Sequence, residues 1–218
     1  MGNCFYSSPL SDACDDNEIE MCKYLIENGS DVNQYSGCYS PLHIASRNGN
    51  FEICKLLIKN GADVNQQTID DNETPLHIAS KNGNFEICKL LIENEARIYY
   101  KKRYCDTPLH VASQNGHLKI CKLLVKNGAD INSKKNNTGE TPIDIAFKFK
   151  HISICFLLNE YQKRKEKQTE LEKLSERVTK LEKTLEIHFN FKPNGILYDD
   201  VLKDFKHNIN ELENVDKK

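Results

Sequence analysis

The sequence predicts an all-α solenoid, a row of stacked helix pairs joined by short fingers and followed by a helical hairpin tail. Three observations carry that prediction. Pro recurs at positions 9, 41, 75, 108 and 142, at spacings of 32, 34, 33 and 34 residues. Each Pro follows Ser or Thr and opens a short apolar-periodic stretch, and a second stretch such as "NFEICKLLI" follows with apolar residues at helical spacing. One unit of this size cannot bury its own apolar face, so a period near 33 residues means that the copies stack on one another.

The elements of one unit follow in order. Ser or Thr before Pro supplies an N-cap with Pro at the first helical position. Gly49, Gly83 and Gly116 fall where this first helix must stop and reverse, a place that favours φ > 0. Phe51, Ile53, Leu56 and Leu57 then give the second helix a buried stripe, and "NGADVN" ends it on Gly61 and leads into the next finger. The copies beginning at Ser40, Thr74 and Thr107 are close to one another, the copy at Thr141 is looser, and the copy at Ser8 is eroded.

T-P-L-H and G-A-D-V-N at this period resemble the ankyrin repeat. The resemblance covers roughly residues 7–160 as five repeats, the first and last atypical, with residues 1–6 as an N-terminal segment and 161–218 as a helical tail. It implies a non-catalytic scaffold or adaptor that meets a protein partner with its finger tips and the exposed side of its first helices. Carried over by register, that surface takes in Ser36, Tyr39 and Arg47, then Asp70, Asp71, Glu73 and Lys81. Arg103, Tyr104, Asp106 and Gln114 follow in the fourth copy, and Thr138, Glu140 and Lys148 in the fifth. These positions differ between copies while the framework does not.

Composition narrows the function classes. With 30 basic and 32 acidic residues the net charge is −2, so no global field selects nucleic acid or anionic lipid. No apolar run is long enough to span a bilayer. Nine Cys without a secretory signal lead to the expectation of free thiols in a reducing, cytoplasmic setting. The start "MGNC" keeps acylation of Gly2 and Cys4 open, and with it a membrane-tethered regulator, although Tyr6 stands where the motif wants Ser or Thr.

His43, His77 and His110 recur once per repeat, so neighbouring imidazoles lie about one helix-packing distance apart, roughly 8–10 Å, too far for a shared metal. The resemblance implies that this His bonds neighbouring backbone and the Thr hydroxyl. Cys22, Cys54, Cys88, Cys121 and Cys155 share one register of the second helix and read as small buried hydrophobes, too far apart between repeats for disulfides. Cys38 and Cys105 share a finger register. Phosphate-loop, nucleophile-elbow, metalloprotease and kinase signatures are missing, so no catalytic site, metal or cofactor is expected.

One stretch breaks the pattern. In "ENEARIYYKKRY", Glu95 replaces the Gly at 29, 61 and 128, and Tyr99, Tyr100, Lys101, Lys102, Arg103 and Tyr104 fill one finger. Tyr and Arg suit a recognition hot spot. The same basic residues also suit pairing with Asp70, Asp71 and Glu73 of the adjacent finger. Nucleic-acid binding ranks below both, because one basic finger beside an acidic one is a poor footprint for a polyanion.

The tail has its own pattern. Gln162 stands where Gly would end the last second helix, so the sequence predicts that this helix continues. Leu171, Leu174, Val178, Leu181 and Leu185 form a short heptad seam. "FKPNG" at 191–195 signals a turn, and Tyr198, Leu202, Phe205, Ile209 and Leu212 give a second seam of the same length, hence a hairpin. Two roles stay open for it: covering Phe147 and Phe149 on the last repeat, or self-association through the Leu171–Leu185 seam.

Overall fold

A computed structural model describes residues 8–102, 106–135 and 138–188. These residues form ten helices and no strand: α1 Pro9–Asp15, α2 Ile19–Glu27, α3 Pro41–Asn48, α4 Phe51–Lys59, α5 Pro75–Asn82, α6 Phe85–Glu93, α7 Pro108–Gln114, α8 Leu118–Lys126, α9 Pro142–Lys148 and α10 Ile152–His188. Every odd-numbered helix opens on Pro behind a Ser or Thr cap, as the sequence predicts. The first helices α1, α3, α5, α7 and α9 pack side by side in one row, and α2, α4, α6 and α8 form a second. Between the rows lies a continuous core. Leu42, Leu76 and Leu109 enter it from the first row, and the i,i+4 pairs Ile53/Leu57, Ile87/Leu91, Ile120/Leu124 and Ile154/Leu158 enter it from the second. Ala45, Ala79, Ala112 and Ala146 are fully buried along the first row, where a larger side chain would push neighbouring helices apart.

A buried imidazole joins the second repeat to the third, and another joins the third to the fourth. His43 Nδ1 accepts the Ser40 backbone N–H at 3.1 Å and lies 2.7 Å from the Ser40 hydroxyl. An Nδ1 that accepts leaves the proton on Nε2, which donates to the Glu73 carbonyl at 3.1 Å. His77 repeats this with Thr74 and with the Asp106 carbonyl at 3.0 Å. His110 makes the same bonds to Thr107, while its Nε2 has no hydrogen-bond partner among the described residues. Burial holds His43 and His77 down at a pKa of about 4, and it lowers His110 as well.

A second ladder runs the other way. From α4 onward the side chain just before each outer helix donates to a carbonyl near the end of the preceding first helix: Asn50 to Cys14 at 3.0 Å, Asn84 to Ser46 at 2.8 Å, His117 to Lys81 at 3.0 Å and His151 to Gln114 at 3.0 Å. These rings lie against the reversing glycines. At Gly116, φ is +77° and an added Cβ would sit 2.7 Å from the His151 ring; at Gly83 it would meet His117 as closely. Gly61 and Gly128 also have positive φ, but nothing lies within 4 Å of a Cβ there.

The chain divides into two units, 1–165 and 166–218, with the boundary inside α10. Gln162 does not end that helix, in line with the sequence expectation. In the first unit Phe147 and Phe149 are exposed, at 73% and 46%. In the second, Leu171 and Val178 are half-buried and Leu174 is exposed. The side chains of Leu181 and Leu185, the turn at 191–195 and the seam from Tyr198 to Leu212 lie outside the described residues, as do Gly2 and Cys4. No described helix is long and apolar enough to cross a membrane, and no cluster of three His, Cys, Asp or Glu suited to a metal occurs among the described residues.

Two outcomes follow. Gly128→Ala should lose about 1 kcal/mol, the left-handed backbone cost alone, whereas Gly116→Ala should lose clearly more because His151 must also move; urea unfolding of both variants checks the ordering. Acid should act through the imidazoles. Each is neutral in the fold down to about pH 4 but takes up a proton from about pH 6.5 in the unfolded chain. Their contribution is therefore complete above pH 6.5 and is lost as pH falls toward 4, by at most about 1.4 kcal/mol per imidazole per pH unit. Urea midpoints at pH 7, 5.5 and 4.5 should fall, with a shallower fall in His77→Asn; an unchanged slope in that variant contradicts the assignment.

Candidate partner-recognition surface

The fingers are built before anything can be read on them. Thr68 N–H donates to the Glu73 carbonyl at 2.8 Å, Lys102 N–H to Asp106 at 3.0 Å and Lys135 N–H to Glu140 at 3.1 Å, closing three successive loops. Salt bridges tie each loop to its neighbour: Lys102 Nζ–Glu73 Oε1 at 2.8 Å and Lys135 Nζ–Asp106 Oδ1 at 2.9 Å. Glu73 and Asp106 are each only 8% exposed. Glu73 and Asp106, which register places on the recognition surface, and Lys102 of the basic finger are thus held inside finger-to-finger pairs. The sequence carries the signal. Lys102 and Lys135 stand 33 residues apart, and Glu73, Asp106 and Glu140 fall at intervals of 33 and 34. Of the pairing set out for the basic finger, the Lys102–Glu73 contact forms. Lys101 is exposed and makes no ion pair among the described residues, while Arg103 and Tyr104 lie outside them.

An asparagine ladder runs along the bases of the fingers. Asn33 donates to the Gly61 carbonyl at 3.0 Å and accepts the Asp63 N–H at 2.8 Å. Asn65 does the same with Glu95 at 3.3 Å and Arg97 at 2.8 Å, and Asn132 donates to Gln162 Oε1 at 3.1 Å. The fourth member of this register is Tyr99. A phenol cannot supply the paired donor and acceptor of an amide, so the ladder skips a rung there. Tyr99 instead stands 67% exposed and stacks on Tyr100, with centroids 6.4 Å apart and planes 17° apart. Arg97 lies 5.5 Å over the Tyr100 ring and donates to its hydroxyl at 3.2 Å. The result is a rigid shelf of two rings clamped by a guanidinium, with the Lys101 ammonium beside it in sequence.

The backbone leading into the shelf carries a cost. Glu95 has φ +67°, as the sequence leads one to expect of a residue in that glycine position. The open space at Gly29, Gly61 and Gly128 explains why a side chain is admitted: only the backbone is strained.

Along the first-helix row the remaining candidates divide. Lys81 and Gln114 are exposed. Arg47 is engaged, 5.4 Å over the Tyr39 ring and 3.1 Å from Asp15 Oδ1. Tyr39 is half-buried and meets His43 edge-on at 6.3 Å. Asp70 and Asp71 lie on the preceding finger, where Asp70 accepts the Asp71 N–H at 2.9 Å.

Paired helices with a Pro cap, a bridging His and stacked fingers make a specific combination, and the family model described as "Ankyrin repeats (3 copies)" matches at residues 1–68, 68–135 and 105–169. The chain belongs to the ankyrin-repeat family. Such repeats generally mediate protein–protein interaction and are typically non-catalytic modules. No curated protein matches this ankyrin-repeat chain.

Glu95→Gly should raise stability by about 1 kcal/mol, since it relieves a left-handed residue without opening a cavity. Urea unfolding measures it, and a loss of stability would show that the Glu95 side chain makes a compensating contact.

Proposed function

We propose that this ankyrin chain is a non-catalytic scaffold that binds a protein partner through its fingers and first-helix row, centred on the shelf formed by Tyr99, Tyr100 and Arg97. The observation that carries the reading is the interrupted asparagine ladder: a stabilising rung is replaced by an exposed, stacked aromatic pair. Tyr buries large area at small entropic cost, and stacking on Tyr100 reduces that cost further. Lys101 follows the shelf in sequence and is exposed, with no ion pair among the described residues, and Lys134 is exposed on the next finger. That balance suits an acidic, extended segment of a partner. Asp70 and Asp71 on the other side confine the basic patch to too few charges for a nucleic-acid backbone.

The test compares capture from native lysate by the wild type and by a Tyr99→Asn/Lys101→Ser double variant. Asn restores the rung of the ladder, so the variant should be at least as stable, which circular dichroism and urea unfolding check. Bands that the wild type retains should be weakened about tenfold or more. Equal retention by a folded variant would remove the shelf from the interface, and loss of nucleic acid in place of protein would overturn the partner class.

A further inference from the structure

A buried thiol pair distinguishes the first repeat from those that follow. In the next three repeats a Ser of the first helix faces a Cys of the second: Ser46–Cys54 at 3.8 Å, Ser80–Cys88 at 3.7 Å and Ser113–Cys121 at 3.7 Å. In the first repeat Cys14 of α1 stands in the Ser register, 32 residues before Ser46, and faces Cys22 of α2 with 3.8 Å between the sulfurs. Both residues are fully buried. We propose that Cys14 and Cys22 form a reversible disulfide clip that locks the first helix pair when the protein meets a peroxide.

The geometry needs little change. A disulfide has sulfurs about 2.05 Å apart, so from 3.8 Å each sulfur moves by about 0.9 Å along a line already free of intervening atoms. Cys54, Cys88 and Cys121 each face a hydroxyl at the same spacing, which cannot complete the bond. Either sulfur can be the donor in this contact; when Cys14 donates, its proton draws Cys22 toward the thiolate, while the same bond and burial push Cys14 up. Cys22 then acts as the first nucleophile. Its sulfur attacks the O–O bond of the peroxide, releasing water or an alcohol and leaving a sulfenic acid. Cys14 sulfur then attacks the Cys22 sulfur, the S–O bond breaks, and hydroxide leaves as water with the Cys14 proton. Two thiols lose two electrons to one peroxide.

Access comes from position. An interior repeat is held on both sides, whereas α1 and α2 have neighbours only on the side of α3 and α4 among the described residues. In a stack governed by nearest-neighbour contacts a helix pair held on one side opens more readily than one held on both, so the oxidant reaches this pair before it reaches Cys54, Cys88 or Cys121. Once formed, the bond joins the two helices directly and opposes that opening.

The experiment uses the full chain carrying Cys4→Ser, because Cys4, Cys14 and Cys22 otherwise share one tryptic peptide. Reduced protein is treated with stoichiometric hydrogen peroxide under native conditions, alkylated in denaturant and mapped by mass spectrometry. The expected result is a peptide of residues 1–23 that lacks two alkyl groups, recovers both after dithiothreitol, and forms while Cys54, Cys88 and Cys121 remain fully alkylated. Proteolysis within the first repeat should slow by about tenfold in the oxidised protein. Cys14→Ser recreates the Ser–Cys pair of the following repeats, so it should fold; there the clip is lost and a sulfenic acid at Cys22 becomes trappable by dimedone. Full alkylation of both cysteines after oxidation, or over-oxidised Cys22 beside an intact Cys14 thiol, overturns the proposal.

Discussion

The double-ended hydrogen bond of the buried histidine is the contact on which the rest of this stack depends. One imidazole nitrogen closes the cap of its own helix and the other holds the backbone of the next finger. Local helix initiation and register between repeats are thereby set by one side chain. The arrangement requires a neutral ring: a proton on Nδ1 would face the Ser or Thr backbone N–H, donor against donor. Burial enforces that state, and the group is both a structural rivet and a weak point toward acid.

The ends of the stack show the same logic by substitution. Ser11 stands in the histidine register of the first repeat and, among the described residues, bonds within its own cap, its N–H meeting Ser8 Oγ at 3.1 Å. In the last repeat Asp144 takes the position. Its Oδ2 accepts the Thr141 N–H at 2.8 Å and the Thr141 hydroxyl at 2.6 Å, which completes the cap. A carboxylate has no N–H to send onward, and among the described residues α9 is followed by α10 and no further finger. The residue type thus changes where the second half of its task disappears. Gln162 is a parallel case: it replaces a helix-ending glycine, α10 runs on, and its side-chain oxygen takes over the acceptor role that the Gly61 and Glu95 carbonyls play elsewhere.

Repetition made much of this legible in the sequence. Proline spacing located the first helices, the apolar stripe located the second, and the histidine register identified a framework residue. Glu95 was recognisable as a strained position because three glycines share its place. The finger salt bridges were harder to read. Divergence between copies points to a surface, yet Glu73 and Asp106 differ only by a methylene while keeping charge and a Lys partner. Reading them correctly needs two registers compared together, the acid before Thr and the Lys that opens the next finger. The Cys14–Cys22 pair escaped for a related reason. The shared cysteine register runs along the stack, where the spacing is too wide, and the short distance lies across the helix pair within one repeat. The tilt of the Tyr99 and Tyr100 rings toward each other has no sequence signature at all.

Energetics bear on where function resides. A left-handed Glu costs about 1 kcal/mol relative to Gly, and a missing hydrogen-bonded rung costs about 0.5–1.5 kcal/mol. Both losses fall between Glu95 and Tyr99. Elsewhere the same registers carry Gly and Asn, so a repeat shaped by stability alone would carry them here too. Substitutions accumulating without constraint would also disturb the adjoining framework, yet Lys102 still pairs with Glu73 and the loop still closes on Asp106. The departures are confined to the outward side of a finger whose inward side is intact. Local strain of this kind persists only where the surroundings over-determine it, and here it supports an exposed aromatic shelf on a rigid base. A partner that stacks on Tyr99 would meet a surface already ordered, with most of its entropic cost settled in the fold.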